Sequence, residues 1–120
     1  MLEAGSKRDQ LRFDCAGAIG SKVWTFRKTN KSEVLHVFVN HWTSRWGGQE
    51  ETEPARRFTG ALLKKITDSI LKVQPQANII IAGDLNDNPD NMSIMEDLAA
   101  STVVESPEAN KLYNLSSKQF

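Results

Sequence analysis

An apolar run that breaks abruptly into polar side chains is the part of this sequence best placed for chemistry. Positions 79–81 are three isoleucines, and such a continuous β-branched run favours a strand that is covered on both faces. Gly83 then gives the backbone freedom to turn just before Asp84, and Asn86 follows two positions later. Because ligands of open α/β sheets bind at the carboxyl ends of the strands, Asp84 and Asn86 are the first candidates for a functional site.

The residue types at this point suit the hydrolysis of a phosphate ester. That reaction needs an aimed water, positive charge for the transition state, and hydrogen-bond donors for the non-bridging oxygens. A carboxylate can hold the water or a metal ion, and an amide can donate to a phosphoryl oxygen. An imidazole can donate a second hydrogen bond, and His41 ends an earlier apolar run. Asp84, Asn86 and His41 therefore fit the three tasks.

Each of these residues also has a purely structural interpretation. Asp84 could cap the turn after its strand, and His41 could be a strand-end histidine whose hydrogen bonds are satisfied within the fold. Asn86, Asp87 and Asp90 are also good turn formers, and for Asp87 and Asp90 we expect the structural role rather than a chemical one.

The loop and helix between the two runs carry further candidates. Arg45 and Arg56 could meet a phosphate, although an arginine near a loop is more commonly solvated. Trp42 and Trp46 could either pack the loop or stack on a base.

The elements that must position these residues are a strand, a helix and a second strand. Val34 to His41 is rich in β-branched and aromatic residues and predicts a strand. Period two places His41 on one face with Leu35, Val37 and Val39, and Asn40 on the other with Val34, His36 and Phe38. A helix is predicted to begin at Pro54, capped by Thr52 or Glu53, and to end near Lys72.

The predicted helix is amphipathic. Its inward stripe is expected to consist of Phe58, Leu62, Ile66 and Ile70, supported by Leu63 and Val73. A strand, a helix and a strand in this order favour a right-handed parallel crossover, which would bring His41 and Asp84 to the same edge of one sheet.

The rest of the chain is less informative. We expect residues 1–9 to be a tail or junction. Gln10 to Cys15 and Lys22 to Arg27 predict a hairpin or two neighbouring strands, followed by a turn at Thr29 to Glu33. A short helix is predicted at Ser93 to Ala99 with Ile94, Met95 and Leu98 inward, and the remainder is polar apart from Leu112-Tyr113.

Composition excludes several classes of protein. A chain of 120 residues is one domain or part of a larger one, and its 15 basic and 15 acidic side chains give no net charge that would indicate nucleic acid or an anionic membrane. The single cysteine, Cys15, excludes an intrachain disulfide and a cysteine-rich zinc site. No apolar run approaches the roughly 18 residues of a membrane span. Nothing indicates a compartment, since an export signal would lie upstream of Met1.

Two motifs resemble the endonuclease/exonuclease/phosphatase superfamily. They are Val39-Asn40-His41-Trp42-Thr43-Ser44-Arg45-Trp46-Gly47-Gly48 and Ile81-Ala82-Gly83-Asp84-Leu85-Asn86-Asp87-Asn88-Pro89, joined by a helix that carries Arg56. The similarity covers about Gln10 to Leu115 and is greatest to a bacterial branch, from which Thr43 departs because proline is usual there.

The resemblance implies both a fold and a set of roles. The fold would be α/β, a fragment of a two-sheet, deoxyribonuclease-like sandwich. His41 would contact the scissile phosphate, Asp84 would orient or deprotonate the water and touch a Mg²⁺ or Mn²⁺ ion, and Asn86 would hold water and phosphate in place. Asn40 is a candidate for contact with the phosphate-ester substrate, which could be a nucleic acid, and Arg45 and Arg56 are weaker candidates for substrate or structural contacts.

The departures from the family pattern are equally specific. An earlier asparagine, a metal-binding glutamate and a later Asp-His pair have no counterpart here, since Glu3 lies in the expected tail. Residues 10–120 are therefore expected to be part of such a domain, without its first part and last strands, and to be inactive alone. The rival hypothesis is a non-catalytic binding module that self-associates through uncovered sheet edges and an apolar sheet face.

Overall fold

The computed structural model describes residues 10–14, 22–29, 34–102 and 107–117, and three antiparallel strands come first among them. Strand β1 (Gln10–Asp14) pairs with β2 (Lys22–Thr29), and β2 pairs with β3 (Val34–His41). The two predicted early strands are thus confirmed as neighbours, with β2 running two residues further than predicted. The expected tail 1–9, Cys15 and the turn residues 30–33 lie outside the described residues.

The centre of the fold is a strand, helix and strand that follow one another in the chain. Helix α1 (Gln49–Val73) leads from β3 to β4 (Asn78–Asp84), and β4 pairs with β3 in parallel, which gives a four-stranded sheet of order β1-β2-β3-β4. This arrangement belongs to the α/β class, as predicted. The hand of the crossover and the second large sheet of a sandwich stay predictions.

The predicted start of α1 is wrong. The helix begins at Gln49, so Pro54 lies inside it rather than in its first turn. The proline does lie near the N-terminal end of the helix, but the helix begins earlier than predicted. Hydrogen bonds from side chains stabilise the additional turn before Pro54. The Thr52 hydroxyl donates to the carbonyl of Gly48 (2.6 Å), and Arg56 donates to the carbonyl of Gln49 (3.3 Å).

The predicted inward stripe of α1 is also wrong in part. Phe58 and Val73 are 58% and 87% exposed, whereas the buried positions are Arg56, Thr59, Gly60, Leu63, Thr67 and Leu71. The buried face is rotated from the expected one because it includes polar residues and a glycine. A prediction based on apolar residues alone does not identify such positions as buried. An added Cβ at Gly60 would lie 2.5 Å from the carbonyl oxygen of Ser93, so that glycine allows the next segment to approach closely.

That segment is a π-helical turn, Ser93–Asp97, where a short helix was predicted. Ile94 and Leu98 are buried as expected, but Met95 is 53% exposed, contrary to the prediction. Two short parallel strands follow, β5 (Ala100–Ser101) and β6 (Leu112–Tyr113), which form a second, two-stranded sheet that the sequence did not predict.

One hydrophobic core among the described residues joins β3, β4, α1, the π-helical turn and β5. Its buried members are Phe38, Trp42, Leu63, Ile94, Leu98 and Ala100, and Ile66, Ile70, Ile79 and Ile81 pack against it. The alternate residues of β3 and β4 face away from this core, and Leu35 and Ile80 are 37% and 49% exposed. The sheet is therefore covered by α1 on one face only among the described residues. Within those residues, no helix has the length and apolar character needed to cross a membrane.

Candidate active site at the end of the parallel pair

His41 and Asp84 are partners in the register of the parallel β3-β4 ladder. Neighbouring strands of a sheet lie about 4.8 Å apart, so the predicted convergence of the two residues is confirmed. Both residues are exposed. The backbone N–H of Trp42 extends the ladder by donating to the carbonyl of Asp84 at 2.9 Å. The imidazole and the carboxylate thus leave the sheet at the same edge.

Gly83 makes this close arrangement sterically feasible. Its φ is +117°, and an added Cβ would lie 2.0 Å from the carbonyl oxygen of Asn40 and 2.8 Å from its backbone nitrogen. A side chain at position 83 would push β4 away from β3 just before Asp84. The glycine of the motif is therefore required by the backbone approach as well as by its conformation.

Asn86 is fixed by a turn that includes Asp84. Its backbone N–H donates to Oδ1 of Asp84 at 3.0 Å, its φ is +54°, and its Nδ2 donates to the carbonyl of Trp42 at 3.0 Å. The short polar side chain of asparagine tolerates this left-handed conformation better than most residues. The side-chain amide thus ties the β4 turn to the end of β3.

Asn40 lies behind this edge. It is 2% exposed, its Nδ2 donates to the carbonyls of Phe38 (3.0 Å) and Ala82 (3.3 Å), and its Oδ1 accepts from the indole nitrogen of Trp42 (3.0 Å). Buried polar groups are costly unless paired, and this amide pairs both of its ends. In this structure Asn40 joins β3 to β4 and orients Trp42; its contact with substrate stays a prediction.

Arg45 spans the two motifs. Its Nε donates to the carbonyl of Asn86 (2.9 Å), and its Nη2 donates to Asp87 Oδ1 (3.0 Å) and Asn91 Oδ1 (2.7 Å). The side chain is 39% exposed. Its Nη1 takes no part in these bonds, so a substrate contact, which stays a prediction, would use that end of the guanidinium.

Arg56 is completely buried, so the expectation of a solvated arginine is wrong for this residue. Its Nη1 donates to Thr52 Oγ1 (2.7 Å) and to the carbonyls of Thr43 and Ser44 (3.3 and 3.4 Å). Its Nη2 donates to both oxygens of Gln49. Arg56 thereby holds the loop 42–48 from beneath, and its predicted contact with substrate stays untested.

Asp87 is the organising residue that sequence reasoning missed. Its side chain is fully buried. Its Oδ1 accepts a hydrogen bond from Arg45, and its Oδ2 accepts one from Ser93 Oγ. Oδ2 also lies 2.9 Å from Arg56 Nε, which is an ion-pair contact rather than a directed hydrogen bond. The sequence interpretation as a turn former rested on residue type alone. The opposite charges at positions 45, 56 and 87 could have indicated an ion-pair network, but the spacing of residues in a sequence does not show which acidic residue is buried.

A second arginine-carboxylate pair lies farther along the same helix. Arg57 Nε donates to Asp97 Oδ2 at 2.7 Å, and this hydrogen bond raises the pKa of the Arg57 guanidinium above its ordinary value. The Arg57 side chain is 39% exposed. This pair ties α1 to the π-helical turn without touching Asp84 or Asn86.

The described residues do not form a metal site by themselves. They contain no group of three or more histidine, cysteine, aspartate or glutamate side chains that could hold an ion. Mg²⁺ is usually bound by one or two carboxylates with several waters retained. Asp84 supplies a single exposed carboxylate, so a complete site would need at least one further ligand.

A groove of about 920 Å³ runs along β4 and its following turn. Its lining includes Asp84, Asn86 and Arg45 as well as both residues of β6, but not His41. Three of the candidate site residues therefore line a concave surface, as is usual for small-molecule sites.

Comparisons with known proteins identify the family of the chain. Searches of curated proteins and of solved structures each found no match for the chain. The model of the endonuclease/exonuclease/phosphatase family matches residues 20–119, which include both motifs and the helix between them. The chain belongs to the endonuclease/exonuclease/phosphatase family.

Proposed function

We propose that this chain is part of a phosphoesterase that cleaves phosphate mono- or diesters, nucleic acid among them, by in-line attack of water. The observation that carries this proposal is the register of His41 with Asp84, with Asn86 held two residues later by the same turn. Family membership supports hydrolysis of phosphate esters in general. We infer further that residues 10–120 form part of a larger domain of the bacterial branch.

The three residues have distinct tasks in this proposal. The imidazole of His41 donates a hydrogen bond to a non-bridging phosphoryl oxygen, where negative charge develops. Asp84 accepts a hydrogen bond from the attacking water and takes its proton, while its other oxygen remains held by the N–H of Asn86. The second N–H of the Asn86 amide donates to the phosphate or the water.

A divalent cation, Mg²⁺ or Mn²⁺, belongs to the proposed parent site. Asp84 is the described residue that would contribute to its binding, together with a carboxylate from elsewhere in the parent domain. When bound, the ion would supply positive charge to the transferring phosphoryl group.

The test compares the parent protein with the chain of 120 residues. We expect the parent to hydrolyse bis-p-nitrophenyl phosphate with Mg²⁺ or Mn²⁺, and to lose activity by at least about a hundredfold in Asp84→Ala, Asn86→Ala and His41→Ala. The 120-residue chain is expected to be inactive alone. Activity of the parent that survives all three substitutions would contradict the assignment, and ion-dependent turnover by the short chain would contradict its expected inactivity.

A second candidate function is a non-catalytic, self-associating module. It is favoured by the exposed apolar face of the sheet, where Leu35 and Ile80 face away from α1, and by the position of β4 at the edge of the described sheet. Such surfaces tend to pair with another chain. The two candidates differ in their need for Asp84, since only the phosphoesterase requires that carboxylate.

A further inference from the structure

Two loops build the candidate site, and they come from distant parts of the sequence. The first, 42–48, follows β3, and the second, 84–91, follows β4. Beyond the strand ladder, they are joined by Asn86 Nδ2 to the Trp42 carbonyl, by Arg45 to the Asn86 carbonyl, and by Arg45 to Asp87. Arg56 joins the same pair of loops from α1, because it contacts Asp87 and the carbonyls of Thr43 and Ser44.

Asp87 is the charged centre of these connections. Both of its oxygens are engaged, with Arg45 on Oδ1 and Ser93 and Arg56 on Oδ2. The side chains of Asp87 and Arg56 are completely buried, so the carboxylate is required to balance a guanidinium that water does not reach. One buried carboxylate thus orients two arginines. Arg56 holds two carbonyls of the first loop, and Arg45, which belongs to the first loop, binds the second loop at Asn86 and Asn91.

Asn86 is held in place by this arrangement. It adopts φ +54°, a conformation that non-glycine residues rarely adopt, and Arg45 Nε holds its carbonyl at 2.9 Å. Arg45 can keep that position because its Nη2 is anchored on Asp87 and Asn91. Removing the charge of Asp87 would therefore free Arg45 and, through it, the backbone of Asn86.

We propose that Asp87 is a positioning residue of this family member, which acts through Arg45 and Arg56 to hold Asn86 and the loop 42–48 in the geometry of the site. It touches no reacting atom, since its side chain is buried beneath the loop. The catalytic part of this inference rests on the proposed function, whereas the structural part is independent of it.

The experiment compares Asp87→Asn with Asp97→Asn. Asp97 is the control because it also pairs with an arginine of α1, through Arg57 Nε at 2.7 Å, and because that arginine pair is more exposed and joins α1 to the π-helical turn rather than to the site loops. In the full 120-residue chain, NMR would follow the side-chain amide of Asn86, the indole N–H of Trp42 and the exchange of backbone amides in 42–48 and 84–91. We expect Asp87→Asn to shift the Asn86 amide and to raise exchange in both loops by about tenfold or more, and Asp97→Asn to change neither.

In the parent protein, Asp87→Asn is expected to lower kcat for bis-p-nitrophenyl phosphate by about 10- to 100-fold with KM little changed, because a misplacement near 1 Å has effects of this size. Asp87→Glu keeps the negative charge. Relative to Asp87→Asn, we expect it to restore part of kcat and to bring the NMR signal of the Asn86 side-chain amide back toward its original position. Should Asp87→Asn fail to fold, Arg45→Gln, at a half-exposed position, gives the same readout and is expected to shift the Asn86 amide.

The outcomes separate this inference from the proposed function. Equal effects of Asp87→Asn and Asp97→Asn, confined to global stability, would overturn the positioning role. Loop changes specific to Asp87→Asn in a parent without phosphoesterase activity would support the structural role and reject the proposed function instead.

Discussion

Single residues at the rim of the sheet determine whether the two motifs meet. Gly83 is the clearest case, because an added Cβ would fall within 2.0 Å of the Asn40 carbonyl oxygen and the residue has a positive φ. Gly47 is a matched control, since its φ is +99° but an added Cβ would meet no atom within 4 Å.

We predict that Gly83→Ala lowers the free energy of unfolding by about 2 kcal/mol or more, since it combines a backbone clash with an unfavourable conformation. Gly47→Ala is expected to cost only about 1 kcal/mol, the conformational part. Urea denaturation of the two variants measures the difference. Equal losses would show that β4 moves without cost and that the close approach to Asn40 is unimportant.

A second prediction at the residue scale concerns two consecutive arginines. Arg56→Ala leaves the buried carboxylate of Asp87 without its completely buried partner, and breaking such a pair costs about 3–5 kcal/mol. Arg57→Ala removes a much more exposed pair with Asp97, so its effect on stability is expected to be clearly smaller. Thermal unfolding of both variants tests the ranking, and the reverse order would contradict the burial of the Arg56 pair.

At the scale of the elements, the sequence predicted the features that depend on the local pattern of residues, such as the bounds of strands and the end of the helix. β3 has the predicted bounds, α1 ends within one residue of its expected end, and the continuous run at 79–81 forms the core of β4. The parallel pairing of β3 with β4 followed from the order of elements, and it brought His41 to Asp84 as expected.

What the sequence could not show depends on tertiary contacts. The start of α1 at Gln49 relies on hydrogen bonds around Arg56, and the burial of Arg56 depends on Asp87, 31 positions away. A prediction that relies on the pattern of apolar residues assigns polar residues to the surface, even where they pair with one another in the interior. For the same reason, sequence reasoning selected His41, Asp84 and Asn86 as candidates but assigned Asp87, whose side chain is buried against Arg56, only to a turn.

The rotated face of α1 gives a prediction at this scale. Leu63 is 1% exposed, so Leu63→Ala should lower the free energy of unfolding by about 2–5 kcal/mol. Val73 belonged to the same predicted stripe but is 87% exposed, so Val73→Ala is expected to change stability by no more than about 0.5 kcal/mol. Urea denaturation again provides the measurement. Comparable losses of stability in the two variants would instead support the apolar stripe that the sequence predicted.

At the scale of the whole molecule, the described fold is asymmetric. One face of the sheet carries α1 and the core, whereas the other presents the apolar residues Leu35 and Ile80, and β4 is at the edge of the sheet. Apolar faces and free strand edges favour association, and a lysine on an edge strand opposes it. Both the phosphoesterase and the self-associating module therefore require something to cover this surface, either the remainder of a parent domain or a second copy.

We predict that the 120-residue chain self-associates through this face and edge, and that Ile80→Lys weakens the association constant by about tenfold or more, the equivalent of roughly 1.4 kcal/mol. Val73→Lys is the control, since Val73 is more exposed than Ile80 but lies at the end of α1. Sedimentation velocity over a wide concentration series measures both variants. A chain that stays monomeric throughout, or one whose association responds equally to both lysines, would contradict the sheet face as the contact, because only Ile80 lies on it.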